Sequence, residues 1–357
     1  MKRFVAGVIA AILLVSCIAF LDGGGNGRRT DGLYYQVSGI HPDATIMTID
    51  GEKISAEEYL YWLIYDCQYL SAYAGTIDWN EVVTGSMTYG DYVKDEVTDT
   101  MKTYAIVRQM AKKGDVTLSK EDTDALEEQR RQYIDYYGGE GSYLQQIQLL
   151  GISEETFDTI NSMYYLYSRV LEAFCNGSLR PTDEKLNSFA EDNRLYTAKL
   201  LYLPTDGLKE DEVAQRRDLA QSYADKLKAS DDVDALYNRF AQELGMEENA
   251  IGQTFAASEN DGALADAVSA LSEGSVSEVI AGTTGFYVAI RMPLDLSAVA
   301  QRLFAQTTED AMANATVKYN NAVYSKIDAG TFYTDFLQAQ QELSASFAQG
   351  NTAANAD

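Results

Sequence analysis

The chain has one histidine, three cysteines, and 28 basic residues against 54 acidic ones. A single imidazole, His41 beside Pro42, leaves almost no material for a Ser-His-Asp triad or a histidine-built zinc site, and it reads as a solvated loop residue. Two or three thiols do not make a disulfide framework. A net charge of -26 opposes any phosphate backbone along most of the surface, so nucleic acid is not an expected partner. No phosphate-cradling glycine loop ending in Lys-Ser/Thr occurs, and Gly138-Gly139-Glu140-Gly141 follows a helical pattern, the wrong context for a nucleotide. Asp231, Asp232 and Asp234 lack the ligand spacing of a calcium loop and read as the solvated start of a helix. Neither metal nor cofactor is therefore expected. What remains is a hydrophobic content of 46%, that of an ordinary globular protein.

Residues 1–21 form a targeting segment. Lys2 and Arg3 precede an apolar run from Phe4 to Val15, and Leu14-Val15-Ser16-Cys17 resembles a bacterial lipoprotein box, which implies lipidation at Cys17. Ile18 to Leu21 prolong the run to about 18 residues, long enough for a marginal uncleaved membrane anchor, and both readings stay open. Either way the rest of the chain is expected at the cell membrane, on its outer face. Residues 22–33 are glycine-rich and polar and read as a flexible tether with a reach of about 18 Å.

From residue 34 the pattern turns regular. Thr45 to Ile54 alternates around the turn dipeptide Asp50-Gly51, predicting a short hairpin. Ser55-Ala56-Glu57-Glu58 predicts a capping box, with Ser55 accepting from the third helical amide and Glu58 reaching back. Tyr59, Trp62, Tyr69 and Tyr73 then recur at helical spacing. Such a face either packs in a core or stays partly open as an adaptable surface for unfolded chains, since rings offer apolar area with a polar handle. Further helices are predicted over 92–112, 119–137, 143–150 and 153–171.

The runs TIDGEKISAEEYLYWL, KKGDVTLSKEDTDAL and YLQQIQLLGISEETFDTINSMYYLYSRVLE, in that order, resemble the N-terminal chaperone region of SurA-like and PrsA-like exported foldases. After a linker at 181–196, the runs AKLLYLP, ADKLKASDDVDALYNRFAQELG and GALADAVSALSEGSVSEVIAGTTGFYVAIRM resemble a parvulin-type prolyl isomerase domain. The resemblance implies an α+β protein: a mostly helical chaperone domain at 34–180, similar to that of SurA, with a small parvulin-like α/β domain inserted at 197–293. Helices at 294–343 are expected to return onto the chaperone domain, and 344–357 to fray. The implied partners are unfolded or exported polypeptides.

Rotation about an X-Pro bond faces a barrier near ~20 kcal/mol, and its catalyst needs an apolar slot with donors for the twisted amide. In parvulins two histidines sit beneath that slot and a phenylalanine lines it. Carried across by resemblance, the histidine positions fall on Leu200 and Tyr287 and the phenylalanine on Leu264. Leucine can neither donate nor accept, so the hydrogen-bonded pair is absent. Two readings follow: a binding scaffold with weak or no isomerase activity, or an active prolyl isomerase working by desolvation and shape.

Overall fold

A computed structural model describes residues 29–246, 252–259 and 262–354. Cys17 and the expected targeting segment lie outside these residues. Among the described residues the chain divides into two compact units, one running to Ala173 and resuming at Thr307, the other spanning Phe174–Gln306. The protein is α+β and mostly helical.

The elements run in order: α1 (Gly32–Ser38), β1 (Thr45–Ile49), β2 (Glu52–Ser55), α2 (Ala56–Ala74), β3 (Val82–Thr84), β4 (Met87–Thr88), α3 (Tyr89–Gly114), α4 (Lys120–Tyr136), α5 (Glu140–Leu150) and α6 (Glu154–Asn176). Next come α7 (Asp183–Asp192), β5 (Leu195–Pro204), α8 (Glu210–Lys228), α9 (Val233–Glu243), β6 (Gln253–Ala256), α10 (Gly262–Ala270), β7 (Ile280–Ala281) and β8 (Gly285–Arg291). The chain closes with α11 (Leu296–Asn314), β9 (Val317–Tyr319), α12 (Asn321–Tyr324) and α13 (Ala329–Ala354).

In the first unit, Asp50 and Gly51 both take positive φ, 49° and 89°, the geometry a two-residue hairpin turn demands. Ser55 accepts from the Glu58 amide at 3.1 Å and so starts α2. The Glu58 side chain does not complete the expected box. Its carboxylate instead takes a forked ion pair from Arg108 on α3, at 2.6 and 3.3 Å. Reciprocal boxes do form at Thr88/Asp91 and Ser119/Asp122, which start α3 and α4.

The C-terminal return differs from the helical expectation by one strand. Three residues, Val317–Tyr319, pair antiparallel with β1 and give the sheet order β2-β1-β9. Asn320 reinforces the join by donating its side-chain amide to the Thr45 carbonyl at 2.9 Å. Behind this sheet α2, α3 and α13 enclose one apolar core that includes Ile46, Tyr59, Trp62, Val97, Phe332 and Phe336.

Several boundaries also shift. Arg29 pairs with Glu57 and Leu33 is buried, so residues 29–33 belong to the fold and not to the expected tether. Tyr34 packs at 5.7 and 5.5 Å from Phe332 and Phe336 and donates to the Leu150 carbonyl at 2.8 Å. His41 is no solvated linker residue, since its Nδ1 is hydrogen-bonded to the Arg29 carbonyl at 2.8 Å and its ring lies 5.2 Å from that of Tyr35. At the other end α13 continues past Leu343 to Ala354, where fraying was expected.

The second unit is a four-stranded antiparallel sheet, β6-β5-β8-β7, with helices on both faces. Alternation along β5 and β8 sorts the side chains. Leu201, Leu203, Val288 and Ile290 pack with Tyr223, Leu227, Tyr237 and Phe240 of α8 and α9. Ala198 and Ala289 face the other way and pack with Leu264 and Val268 of α10.

Candidate functional site

The three positions that the resemblance assigns to an isomerase pocket, Leu200, Leu264 and Tyr287, lie on one face of the second unit's sheet. Leu200 pairs with Ala289 across β5 and β8, and Tyr202 pairs with Tyr287 two residues on. Leu264 is 1% exposed within the α10 layer, and half-buried Leu200 and Tyr287 pack against that same cluster, with Phe255 and Ile280. The structure thus brings together all three positions that the sequence singles out. Their chemistry is apolar apart from one phenol. Tyr287 stacks on Tyr202 with centroids 4.8 Å apart and planes at 24°, and Tyr202 donates to the Thr284 carbonyl at 3.0 Å. Gly285 makes that pair possible, because a Cβ there would stand 2.8 Å from the Tyr202 ring and 2.4 Å from the Leu203 carbonyl oxygen. Toward the other end of the face, Arg291 lies over the Tyr196 ring at 4.7 Å, and desolvation lowers its pKa from the usual guanidinium value. The sequence of this unit has no histidine, so the layer cannot form the imidazole pair that the parvulin resemblance implies.

The ring series of α2 is divided by the fold. Tyr59 and Trp62 are buried, Trp62 at 1% exposure, and so are not available to a client. Tyr59 meets Tyr324 edge-on at 5.9 Å, and Trp62 is bracketed by Tyr61, Tyr65 and Tyr104 at 5.5, 5.3 and 6.0 Å. Burial pushes the Tyr59 phenol well above its ordinary pKa. Of the two readings of this face, core packing holds for Tyr59 and Trp62 and the client-surface reading does not: they sit on the stretch of α2 that the C-terminal elements and α3 cover. Tyr69 and Tyr73, two turns on, are exposed, Tyr73 by 86%.

Other exposed rings were not singled out from the sequence. Tyr136, 79% exposed, meets Tyr137 edge-on at 5.0 Å, and Tyr133 stacks on Tyr137 at 6.2 Å. The signal available was the pair Tyr136-Tyr137 directly before the helix-breaking Gly138-Gly139. The first unit also holds an open cavity of about 530 Å³, lined in part by Leu33, Gln36, Leu144, Ile147, Gln148 and Leu343. Among the described residues no group of three or more His, Cys, Asp or Glu side chains could hold a metal ion, and no helix is long and apolar enough to cross a membrane. Cys67 and Cys175 are both buried free thiols.

Asp66 on α2 is the titratable group of this region with the largest consequence for pH. Desolvation, and after it the charge of Glu96, pushes its carboxyl up to about 7. The folded chain therefore holds this proton between the ordinary carboxylate range and about pH 7, so the stability it supplies is full at acid pH and declines as pH rises through 7. Asp66→Asn is expected to be more stable than the parent at pH 8 by about 2–4 kcal/mol and nearly equal to it at pH 4. Urea unfolding of both proteins across that range measures it, and a pH-independent difference would refute the assignment.

In class the protein is a helical unit interrupted in sequence by a small α+β unit, with exposed rings on the first and no histidine in the second. No family model matches the chain, and no curated protein matches it. Among solved structures it is similar to a foldase protein PrsA from Lactococcus lactis, 15% identical, covering 82% of this chain and 98% of that one with a TM-score of 0.31. PrsA from Bacillus subtilis is 14% identical, with 75% and 93% covered and a TM-score of 0.28. A SurA-like chaperone from Campylobacter jejuni is 11% identical, with 77% and 99% covered and a TM-score of 0.24. At TM-scores of this size no residue of this chain takes a role from those proteins.

Proposed function

We propose that this chain is an extracytoplasmic, membrane-anchored chaperone that holds unfolded or exported polypeptides, with a second unit that is a scaffold of weak or no isomerase activity. The observation that carries this reading is the exposure of Tyr69, Tyr73 and Tyr136 on a helical unit of a chain with net charge -26. Exposed phenols offer apolar area without demanding a fixed partner geometry, and the acidic field favours basic segments while keeping copies apart. Attachment would come from Cys17 or from the apolar run that surrounds it, and the mass of the mature N-terminus separates the two: an unmodified Met1 retained on the protein removes the lipid version.

Two assays test the functional reading. Full-length protein is expected to suppress aggregation of a reduced, unfolded client at stoichiometric amounts, and failure to do so removes the chaperone reading. In a protease-coupled assay on a short X-Pro peptide, the rate is expected to match the uncatalysed one. The competing reading, an active prolyl isomerase, draws on the Tyr287 hydroxyl, the one polar group at the three pocket positions. A clear acceleration lost in Tyr287→Phe would install that reading instead.

A further inference from the structure

The hairpin of β3 and β4 carries an unpaired strand edge of unusual composition. β3 is Val82-Val83-Thr84, all three residues exposed, and among the described residues its one ladder partner is β4, through Val82↔Thr88 and Thr84↔Met87. Its outer edge therefore presents backbone donors and acceptors with no partner strand. Soluble proteins blunt such edges with lysine, proline, a bulge or a covering element, because a free edge is a template for another chain. Among the described residues the edge is blunted by the three-residue length of β3 and by a bulge at Val83, and both valines stay exposed.

The edge is also held rigidly. Gly90 donates to the Trp79 carbonyl at 2.9 Å and Tyr89 to the Glu81 carbonyl at 3.0 Å, tying the hairpin to the start of α3. Trp79 in turn lies edge-on to Tyr333 at 5.6 Å and fits over Gly330, where a Cβ would stand 2.7 Å from its ring. A strand fixed on both α3 and α13 loses little entropy when another strand pairs with it.

Charge selects the occupant. Between Lys53 and Lys94 the sequence has no lysine or arginine, while Asp78, Glu81 and Asp91 flank the hairpin and are exposed. A second copy of the chain would bring a further net charge of -26 to the same place. We propose that the free edge of β3 receives an extended, lysine- or arginine-bearing segment of an unfolded polypeptide as an added strand. Main-chain pairing supplies affinity independent of sequence, and the acidic flanks supply the bias toward basic segments. The inference rests on the client-binding reading and locates one point of capture for it.

The probe is a fluorescent eight-residue peptide of alternating lysine and valine, titrated against the full-length protein and followed by anisotropy. A matched peptide N-methylated at its four central residues keeps the same side chains but loses pairing donors on both strand edges, and is expected to bind at least about ten-fold more weakly. Val83→Lys is expected to weaken binding of the unmethylated peptide by a similar factor, and Val83→Thr to change it by no more than about two-fold. A glutamate-valine peptide is expected not to bind. Thermal melts of both variants should match the parent, since Val83 is exposed. Equal binding of the two lysine peptides, or unchanged binding in Val83→Lys, overturns the proposal. A dimer in sedimentation that Val83→Lys dissolves assigns the edge to a second copy and also overturns it. Aggregation suppression by the parent that persists undiminished in Val83→Lys leaves the chaperone reading standing and removes this edge from it.

Discussion

Glu57→Ala is expected to lower the unfolding free energy by about 3–5 kcal/mol, the cost of removing one partner from a buried charged network. The Glu57 carboxylate is almost wholly buried and accepts from Arg29 Nη1 at 2.9 Å, the Ser153 amide at 2.7 Å, Ser153 Oγ at 3.0 Å and Thr156 Oγ1 at 2.6 Å. Three stretches of chain that share no sequence neighbourhood meet there: the segment before α1, the first turn of α2 and the start of α6. The anion also sits at the N-terminus of α6, where the helix dipole favours it. Alanine leaves Arg29 Nη1 and the Ser153 amide without this acceptor, the guanidinium keeping Asp31, to which Nε donates at 3.2 Å. Glu57→Gln keeps the size and part of the acceptor capacity and is expected to cost less, about 1–3 kcal/mol. Urea unfolding monitored by tryptophan fluorescence provides the measurement. A loss below about 1 kcal/mol for alanine would show that the network contributes little beyond what water restores.

The contrast between Glu57 and its surroundings marks what the sequence could and could not disclose. Ser55 and Asp50-Gly51 were legible because capping and tight turns are local: each needs residues within three positions of one another. In sequence Glu58 reads as the capping-box partner of Ser55, and Glu57 beside it has no assigned partner. In the fold both are buried, one against Ser153 and Thr156 and the other against Arg108. Partners 50 to 99 positions away leave no periodic trace. β9 escaped for a related reason. Three residues between two helical patterns are too few to show alternation, and only pairing with β1 makes Val317–Tyr319 a strand.

Positions 200, 264 and 287, which the resemblance names from three separate runs, lie in one packed layer of β5, β8 and α10. The ring face of α2 was legible only as a face. Spacings of three and four say that side chains share a side of a helix; they do not say how far along that side the rest of the chain extends its cover. Here cover comes from α3 and from α12 and α13, far along the chain, and it ends before Tyr69.

That boundary yields the second large effect. Trp62→Ala is expected to cost about 3–5 kcal/mol, because the indole is enclosed by three tyrosine rings and the void cannot collapse without moving α3. Tyr73→Ser, three turns further on the same helix, is expected to change stability by no more than about 0.5 kcal/mol, since the ring is exposed and takes part in no core cluster. Client holding should show the reverse order. Tyr73→Ser combined with Tyr136→Ser is expected to weaken aggregation suppression at unchanged melting temperature, whereas Trp62→Ala at a temperature where it remains folded should retain it. If the double serine variant suppresses aggregation as well as the parent, the exposed rings are not the client surface. If Trp62→Ala melts with the parent, the α2 ring series is not divided in solution as the fold divides it. The two substitutions thus separate what the aromatic residues of one helix do for the protein itself from what they do for another chain.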